Sequence, residues 1–89
     1  MSKQTEKEIS QICKDLETLL ISKNRAYGDS ALEPVRMFSK ANAAEQILVR
    51  IDDKLSRVAR GHEYVGDDTI DDLLGYLVLL KIARLRSEK

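Results

Sequence analysis

Four aspartates, Asp67, Asp68, Asp71 and Asp72, stand directly before the most apolar stretch of the chain, residues 73–80. Residues four apart share one face of a helix, so Asp68 and Asp72 would present their carboxylates one above the other. Such a pair can hold a hard divalent cation, and these cations commonly join small proteins to nucleotide phosphates. Helix capping and the helix dipole are the alternative explanation. They account for Asp67 or Asp68 and leave Asp72, inside the helix, poorly explained.

A strip of basic residues runs through the segment before this cluster. Arg50, Lys54 and Arg57 are three and four residues apart, so they line one side of a helix. Arginine can grip phosphate oxygens bidentately, and lysine acts on them as a point charge. The alternative is a set of ion pairs within the helix, such as Asp53 with Arg57, each worth about 0.2–0.5 kcal/mol. If the strip faces the aspartates, one helix offers a metal site and the other a phosphate site.

The segment before Gly28 supplies a third group of candidate ligand-binding residues, Lys23, Asn24 and Tyr27. Tyr27 can stack on a base or pack on the helices. Lys23 and Asn24 can reach a ligand or satisfy the carboxyl end of the first helix. The chain has no glycine-rich phosphate loop, so any phosphate binding must come from side chains of this kind.

Composition predicts one small intracellular domain, residues 1–89. Fifteen basic and fifteen acidic residues balance, so no overall charge attracts the chain to nucleic acid or to a membrane. The only cysteine, Cys13, excludes an intrachain disulfide and is expected to be a small core residue in a reducing compartment. The polar N-terminus lacks the apolar segment of a signal peptide, and we expect a cytoplasmic protein.

Helical periodicity predicts an all-α fold, a small antiparallel bundle of three longer helices and one short helix. A capping box at residues 5–8 is expected to open the first helix, and Asn42 the third. The last helix is apolar around most of its circumference, which predicts a central position or a contact with another subunit. We therefore expect a homo-oligomer, a dimer or tetramer. The expected helices run from 5 to about 22, from 34 to 40, from 42 to about 60, and from 67 or 68 to about 87.

Three blocks of the sequence together resemble a known family. They are K-N-R-A-Y-G-D-S at 23–30, R-I-D-D-K-L-S-R at 50–57 and D-T-I-D-D-L-L-G-Y at 68–76. Their order and spacing are similar to those of the nucleotide-modification-associated domain of phages and bacteria, over about residues 20 to 85. That family in turn looks like a distant relative of the MazG-type all-α nucleoside triphosphate pyrophosphatases, which hold magnesium between acidic residues of two neighbouring helices.

The resemblance implies roles for individual residues. Asp53, Asp68 and Asp72 would be on the metal side, Lys23, Arg50 and Lys54 would be on the phosphate side, and Tyr27 would lie near the base. The chain departs from the pyrophosphatases on the first metal helix, where they carry a Glu-x-x-Glu pair. Here that helix offers Glu45, Asp52 and Asp53, and the first two are seven residues apart.

Three functions follow from these observations. The first is Mg²⁺-dependent nucleotide binding, with cleavage of a nucleoside triphosphate to monophosphate and pyrophosphate, in nucleotide-pool control or phage DNA-base modification. The second is an oligomer that binds a nucleotide or a nucleotide-derived signal without turning it over. The third is a helical module that binds a partner protein, in which the aspartates only cap their helix.

Overall fold

The structure, a computed structural model, describes residues 2–34, 37–61 and 68–88. Over these residues it contains three helices and no strand, which confirms the predicted all-α class. The helices are α1 (Lys3–Tyr27), α2 (Ala43–Arg60) and α3 (Thr69–Ser87). Residues 62–66, which connect the last two expected helices, and Asp67, a candidate helix cap, lie outside the described residues.

The first helix, α1, is longer at both ends than the sequence indicated. Ser2 is its N-cap and accepts a hydrogen bond from the Thr5 backbone N–H at 3.1 Å, so the cap lies three residues before the expected capping box. The helix continues past Ser22 to Tyr27 because residues 23–27 contain no helix breaker. It ends at Gly28, whose φ of 61° is readily adopted by glycine.

The other two long helices agree with the expected boundaries. The Asn42 side chain caps α2 by accepting from the Glu45 N–H at 2.9 Å, and Gly61 ends that helix with a φ of 69°. Asp68 caps α3 by accepting from the Asp71 N–H at 3.0 Å. These caps are local in sequence, which is why they could be predicted.

The predicted short helix at 34–40 is wrong for the residues that the structure describes there. Pro34 and residues 37–40 are not helical. Ser39 instead uses its hydroxyl to accept a hydrogen bond from the Ala41 N–H at 3.1 Å. A serine that bonds its own neighbouring backbone offers the chain an alternative to the helical hydrogen-bond ladder.

The core lies between α2 and α3, which pack as an antiparallel pair. Ile47, Ile51 and Leu80 are its buried apolar residues, and Thr69 is buried beside them. The first helix has no buried residue, and among the three described helices it packs on α3 alone. Cys13 is exposed on α1, so its predicted place in the core is wrong.

α1 comes close to α3 at Gly75. A Cβ at that position would lie 2.8 Å from Cδ2 of Leu20. Glycine therefore permits the crossing of the two helices. No helix in the described part of the chain is long and apolar enough to cross a membrane.

Candidate ligand-binding site

An open cavity of about 660 Å³ lies where the C-terminal part of α1, residues 28–34, α2 and the start of α3 meet. A volume of this size suits a small organic ligand. Its apolar lining residues are Leu19, Leu20, Ala31, Leu32, Pro34, Ile47 and Leu79. The polar and aromatic lining residues are Lys23, Asn24, Tyr27, Ser30, Gln46, Arg50, Asp71, Asp72 and Tyr76.

Four of the six predicted nucleotide-binding residues line this cavity. Lys23, Asn24 and Tyr27 come from the last turns of α1, and Arg50 comes from the middle of α2. The extension of α1 beyond Ser22 is what carries the first three to the cavity. Tyr27 is 69% exposed, so its ring is available to a ligand.

The remaining two predicted phosphate ligands, Lys54 and Arg57, do not line the cavity. Lys54 lies just beside it and contacts Asp72, with its Nζ 3.1 Å from Oδ2 of that residue. Arg57 pairs with Asp53 one turn earlier in α2, at 3.3 Å. The intrahelical ion pair considered from the sequence is therefore present at this end of the basic strip.

Asp72 connects all three helices. Besides Lys54 of α2, its carboxylate contacts Lys23 of α1, with Nζ 3.6 Å from Oδ1. The Lys54 side chain is 14% exposed and that of Asp72 is 26% exposed, so this contact is only partly screened by solvent. Capping does not explain the negative charge of Asp72. Its contacts with Lys23 and Lys54 do.

The pKa of Asp71 is raised by its surroundings. Its loss of solvent contact raises the pKa above the usual 3.8, and the charge and hydrogen bonding of Asp68 raise it further. The charge of Asp72 adds to this effect, and Lys23 opposes it. Asp71 is part of the cavity wall.

The three predicted metal ligands have separate partners. Asp68 caps α3, Asp53 pairs with Arg57, and Asp72 contacts two lysines. Over residues 2–34, 37–61 and 68–88, no group of three or more His, Cys, Asp or Glu side chains is placed to hold a metal ion. Asp71 and Asp72 are the carboxylates of the cavity wall, and the second has its oxygens beside ammonium groups. These residues do not fit the multi-carboxylate cage of a pyrophosphatase.

Three lining residues with polar groups, Ser30, Gln46 and Tyr76, were missed in the sequence, and two of them lie on helices. Gln46 lies one helical turn before Arg50 on the same face of α2, and Tyr76 lies one turn after Asp72 on α3. Extending each charged strip by one turn would have found both. The Gln46 amide donates to the Ala41 carbonyl at 2.8 Å, which holds it at the start of α2.

Comparison of the chain with protein-family models, with curated proteins and with solved structures found no match in any of the three. The resemblance in the three sequence blocks therefore stays a prediction.

Proposed function

We propose that this protein binds a nucleotide or a nucleotide-derived signal reversibly, as a non-catalytic binder. The observation that supports this most directly is the cavity of about 660 Å³ that gathers Lys23, Asn24, Tyr27 and Arg50 from two helices. A nucleotide needs cations for its phosphates and a flat apolar or aromatic surface for its base. Both kinds of group line this cavity.

The phosphate end of the ligand would lie toward Lys23 and Arg50. Asp72 holds the Lys23 ammonium beside the cavity, and Lys54 adds a second positive charge to the same carboxylate. Lys23, Lys54 and Arg50 carry three positive charges against the two negative charges of Asp71 and Asp72, and the remaining positive charge favours an anion at this point. The Arg50 guanidinium offers the planar donor set that phosphate oxygens match.

The base would lie toward Tyr27. This ring is mostly exposed and lines the cavity, and the leucines of α1 and α3 continue the apolar wall behind it. An aromatic ring that lacks close packing can stack on a base at little cost to the fold. Asn24 and Gln46 supply amide donors and acceptors that could distinguish one base from another.

Magnesium-dependent pyrophosphohydrolysis is the second candidate function, and it rests on Asp71 and Asp72. These carboxylates line the same cavity as Lys23 and Arg50. Both oxygens of Asp72 lie beside lysine ammonium groups, so the described carboxylates do not form the cage that would hold Mg²⁺ and activate a water molecule, and this candidate is the less favoured one. The wider setting, cytoplasmic nucleotide-pool control or DNA-base modification in a phage, rests on the resemblance of the sequence blocks alone.

Calorimetric titration with nucleoside mono-, di- and triphosphates, with and without Mg²⁺, tests the proposal. We expect binding without pyrophosphate release, and about a tenfold loss of affinity, roughly 1.4 kcal/mol, in Lys23→Ala and Arg50→Ala. Lys14→Ala on α1 and Arg60→Ala on α2 are matched controls, since both residues are exposed and neither lines the cavity. These controls should bind as the wild type does.

The same titration separates the three functions. Pyrophosphate release that requires Mg²⁺ and is lost in Asp72→Asn would show that the protein is a pyrophosphohydrolase and not a non-catalytic binder. No heat with any nucleotide would leave the partner-binding helical module as the remaining function. For a metal-independent binder, Asp71→Asn should tighten binding, because it removes a negative charge from the wall that faces the phosphates.

A further inference from the structure

Four residues of α1 reach the cavity from one face of that helix, at the spacing i, i+3, i+4 and i+7. They are Leu20, Lys23, Asn24 and Tyr27. Lys23 and Tyr27 are four residues apart, so they stand about 6 Å apart along the helix axis. In a nucleotide, the sugar separates the phosphate from the base. With the phosphate at Lys23 and the base at Tyr27, as in the proposed function, the sugar lies beside Asn24.

The start of α3 passes the same part of α1 in the opposite direction. Leu20 meets Gly75, and Lys23 contacts Asp72. Three residues forward on α1 thus correspond to three residues back on α3, which is the register of two antiparallel neighbours. Beyond the contact of Lys23, this register leads toward Tyr27 on α1 and into the first turn of α3.

Asp71 lies at the level of Asn24 in this register, and both residues line the cavity. Asp71 forms no ion pair in the described part of the chain, whereas Asp72 beside it contacts two lysines. A carboxylate without an ion pair weakens the binding of nearby phosphates unless the ligand also brings hydrogen-bond donors to it. Between its base and its phosphate, a nucleotide carries such donors as the hydroxyl groups of its sugar.

We propose that Asp71 accepts hydrogen bonds from the ribose hydroxyl groups of the ligand, with Asn24 beside the same sugar, so that the cavity selects ribonucleotides over 2′-deoxyribonucleotides. A carboxylate can accept two hydroxyl donors at once, and an acidic residue binds the ribose 2′-hydroxyl in this way in dinucleotide-binding folds. The inference rests on the proposed function and narrows its ligand class. DNA precursors lack the 2′-hydroxyl, so the ligand belongs among the ribonucleotides and the signals made from them.

Asp71 also has a structural role, because a negative charge in the first turn of α3 suits the helix dipole. That role does not depend on the sugar of a ligand. The ratio of affinities for a ribonucleotide and its deoxy counterpart therefore separates the two roles, since a loss of stability affects both ligands alike. Asp68 is the matched control, because it belongs to the same end of α3 and does not line the cavity.

Calorimetric titration of the full chain with matched nucleotide pairs, such as AMP with dAMP and GMP with dGMP, tests the inference without Mg²⁺. We expect the wild type to bind the ribonucleotide of a pair about tenfold more tightly, because its deoxy counterpart lacks a hydrogen bond to a charged group. Asp71→Asn should bring this ratio close to one, mainly by tightening the deoxynucleotide, since it removes a negative charge near the phosphate. Asp68→Asn should keep the tenfold ratio, because asparagine caps a helix as well as aspartate does.

The outcomes distinguish this inference from the proposed function on which it rests. Equal affinities for both members of every pair, or a preference for the deoxynucleotide, would overturn the inference and leave nucleotide binding in place. A ribonucleotide preference that persists in Asp71→Asn, or is lost in Asp68→Asn as well, would also overturn it, because the selecting group would then not be Asp71. Absence of binding by every nucleotide would overturn the proposed function and this inference with it.

Discussion

Asp72 is the residue on which the three helices converge. Its carboxylate contacts Lys54, which is largely enclosed, and Lys23, which is half exposed. Removing it would leave the Lys54 ammonium in a poorly solvated place and bring two positive charges together without the anion between them. Partly buried charged contacts of this kind contribute more than exposed ion pairs because solvent screens them less.

Asp72→Ala should therefore destabilise the fold more than the loss of an exposed ion pair. We expect the free energy of unfolding to fall by about 1–3 kcal/mol. Asp53→Ala removes the exposed pair with Arg57 and should cost about 0.3–0.5 kcal/mol. Urea denaturation of both variants measures the difference. Equal losses in the two would show that solvent screens Asp72 as fully as Asp53.

The carboxyl of Asp71 should titrate above its usual pKa of 3.8, because it loses solvent contact and lies beside two other aspartates. This carboxyl therefore binds a proton more readily in the folded protein than in the unfolded chain. The small stabilisation from that proton is present at low pH and is lost as the pH rises through the raised pKa. Carbon-13 detected NMR titration measures this pKa directly.

Asp68→Asn gives the control for Asp71, since asparagine caps a helix as well as aspartate does. It should lower the pKa of Asp71 by removing the charge of Asp68 while α3 keeps its N-cap. A pKa that does not move in this variant would attribute the whole shift to the loss of solvent contact.

Among the elements, α1 is held least firmly. It has no buried residue, and its approach to α3 depends on the absence of a side chain at Gly75. Its last turns nevertheless supply Lys23, Asn24 and Tyr27 to the cavity. A helix that contributes to a site without belonging to the core opens at low free energy, and its docking can then respond to a ligand.

Gly75→Leu should loosen α1 while leaving the core between α2 and α3 intact. The new side chain would meet Leu20, whose Cδ2 already lies 2.8 Å from a Cβ at this position. Hydrogen exchange should become faster in α1 and remain slow around Ile47, Ile51 and Leu80. Gly75→Ala is the mild control, because the Leu20 methyl can shift and alanine favours a helix by about 0.8–1.0 kcal/mol over glycine. Unchanged exchange in α1 of the leucine variant would contradict this account.

The cavity is bordered by all three helices, because the last turns of α1 form one wall and the pair of α2 and α3 forms the others. A ligand in it would contact both α1 and the pair of α2 and α3, which touch each other little. Binding stabilises the state that binds, by about 2.7 kcal/mol at a ligand concentration one hundred times Kd. Most of that stabilisation should appear as firmer docking of α1.

Saturation with the best nucleotide of the calorimetric panel should therefore slow hydrogen exchange in α1 more than in α2 or α3. The effect should be absent in Arg50→Ala, which alters the α2 wall and leaves the contact of α1 with α3 unchanged. Slowing confined to α2 and α3 would place the ligand outside the cavity.

The sequence alone was enough to predict the all-α class and most helix ends, because those depend on neighbours along the chain. Asn42, Gly61 and Asp68 cap their helices as their residue types predict. The start of α1 at Ser2 and its continuation to Tyr27 were missed, since capping signals occurred at both Ser2 and Thr5 and nothing before Gly28 marks an end. Residues 37–40 are not helical, and the hydrogen bond that Ser39 accepts from the Ala41 N–H competes with a helix there.

The tertiary structure decided which charged residues meet. Spacing grouped Arg50, Lys54 and Arg57 on one strip, but only packing shows that the first lines the cavity while the second contacts Asp72 of α3. The partner of Asp72 could not be read from its own helix, because Lys23 and Lys54 reach it from two others. Helical periodicity determines the face of a residue, whereas contacts between distant segments depend on how the helices cross, which for α1 and α3 is set by Gly75.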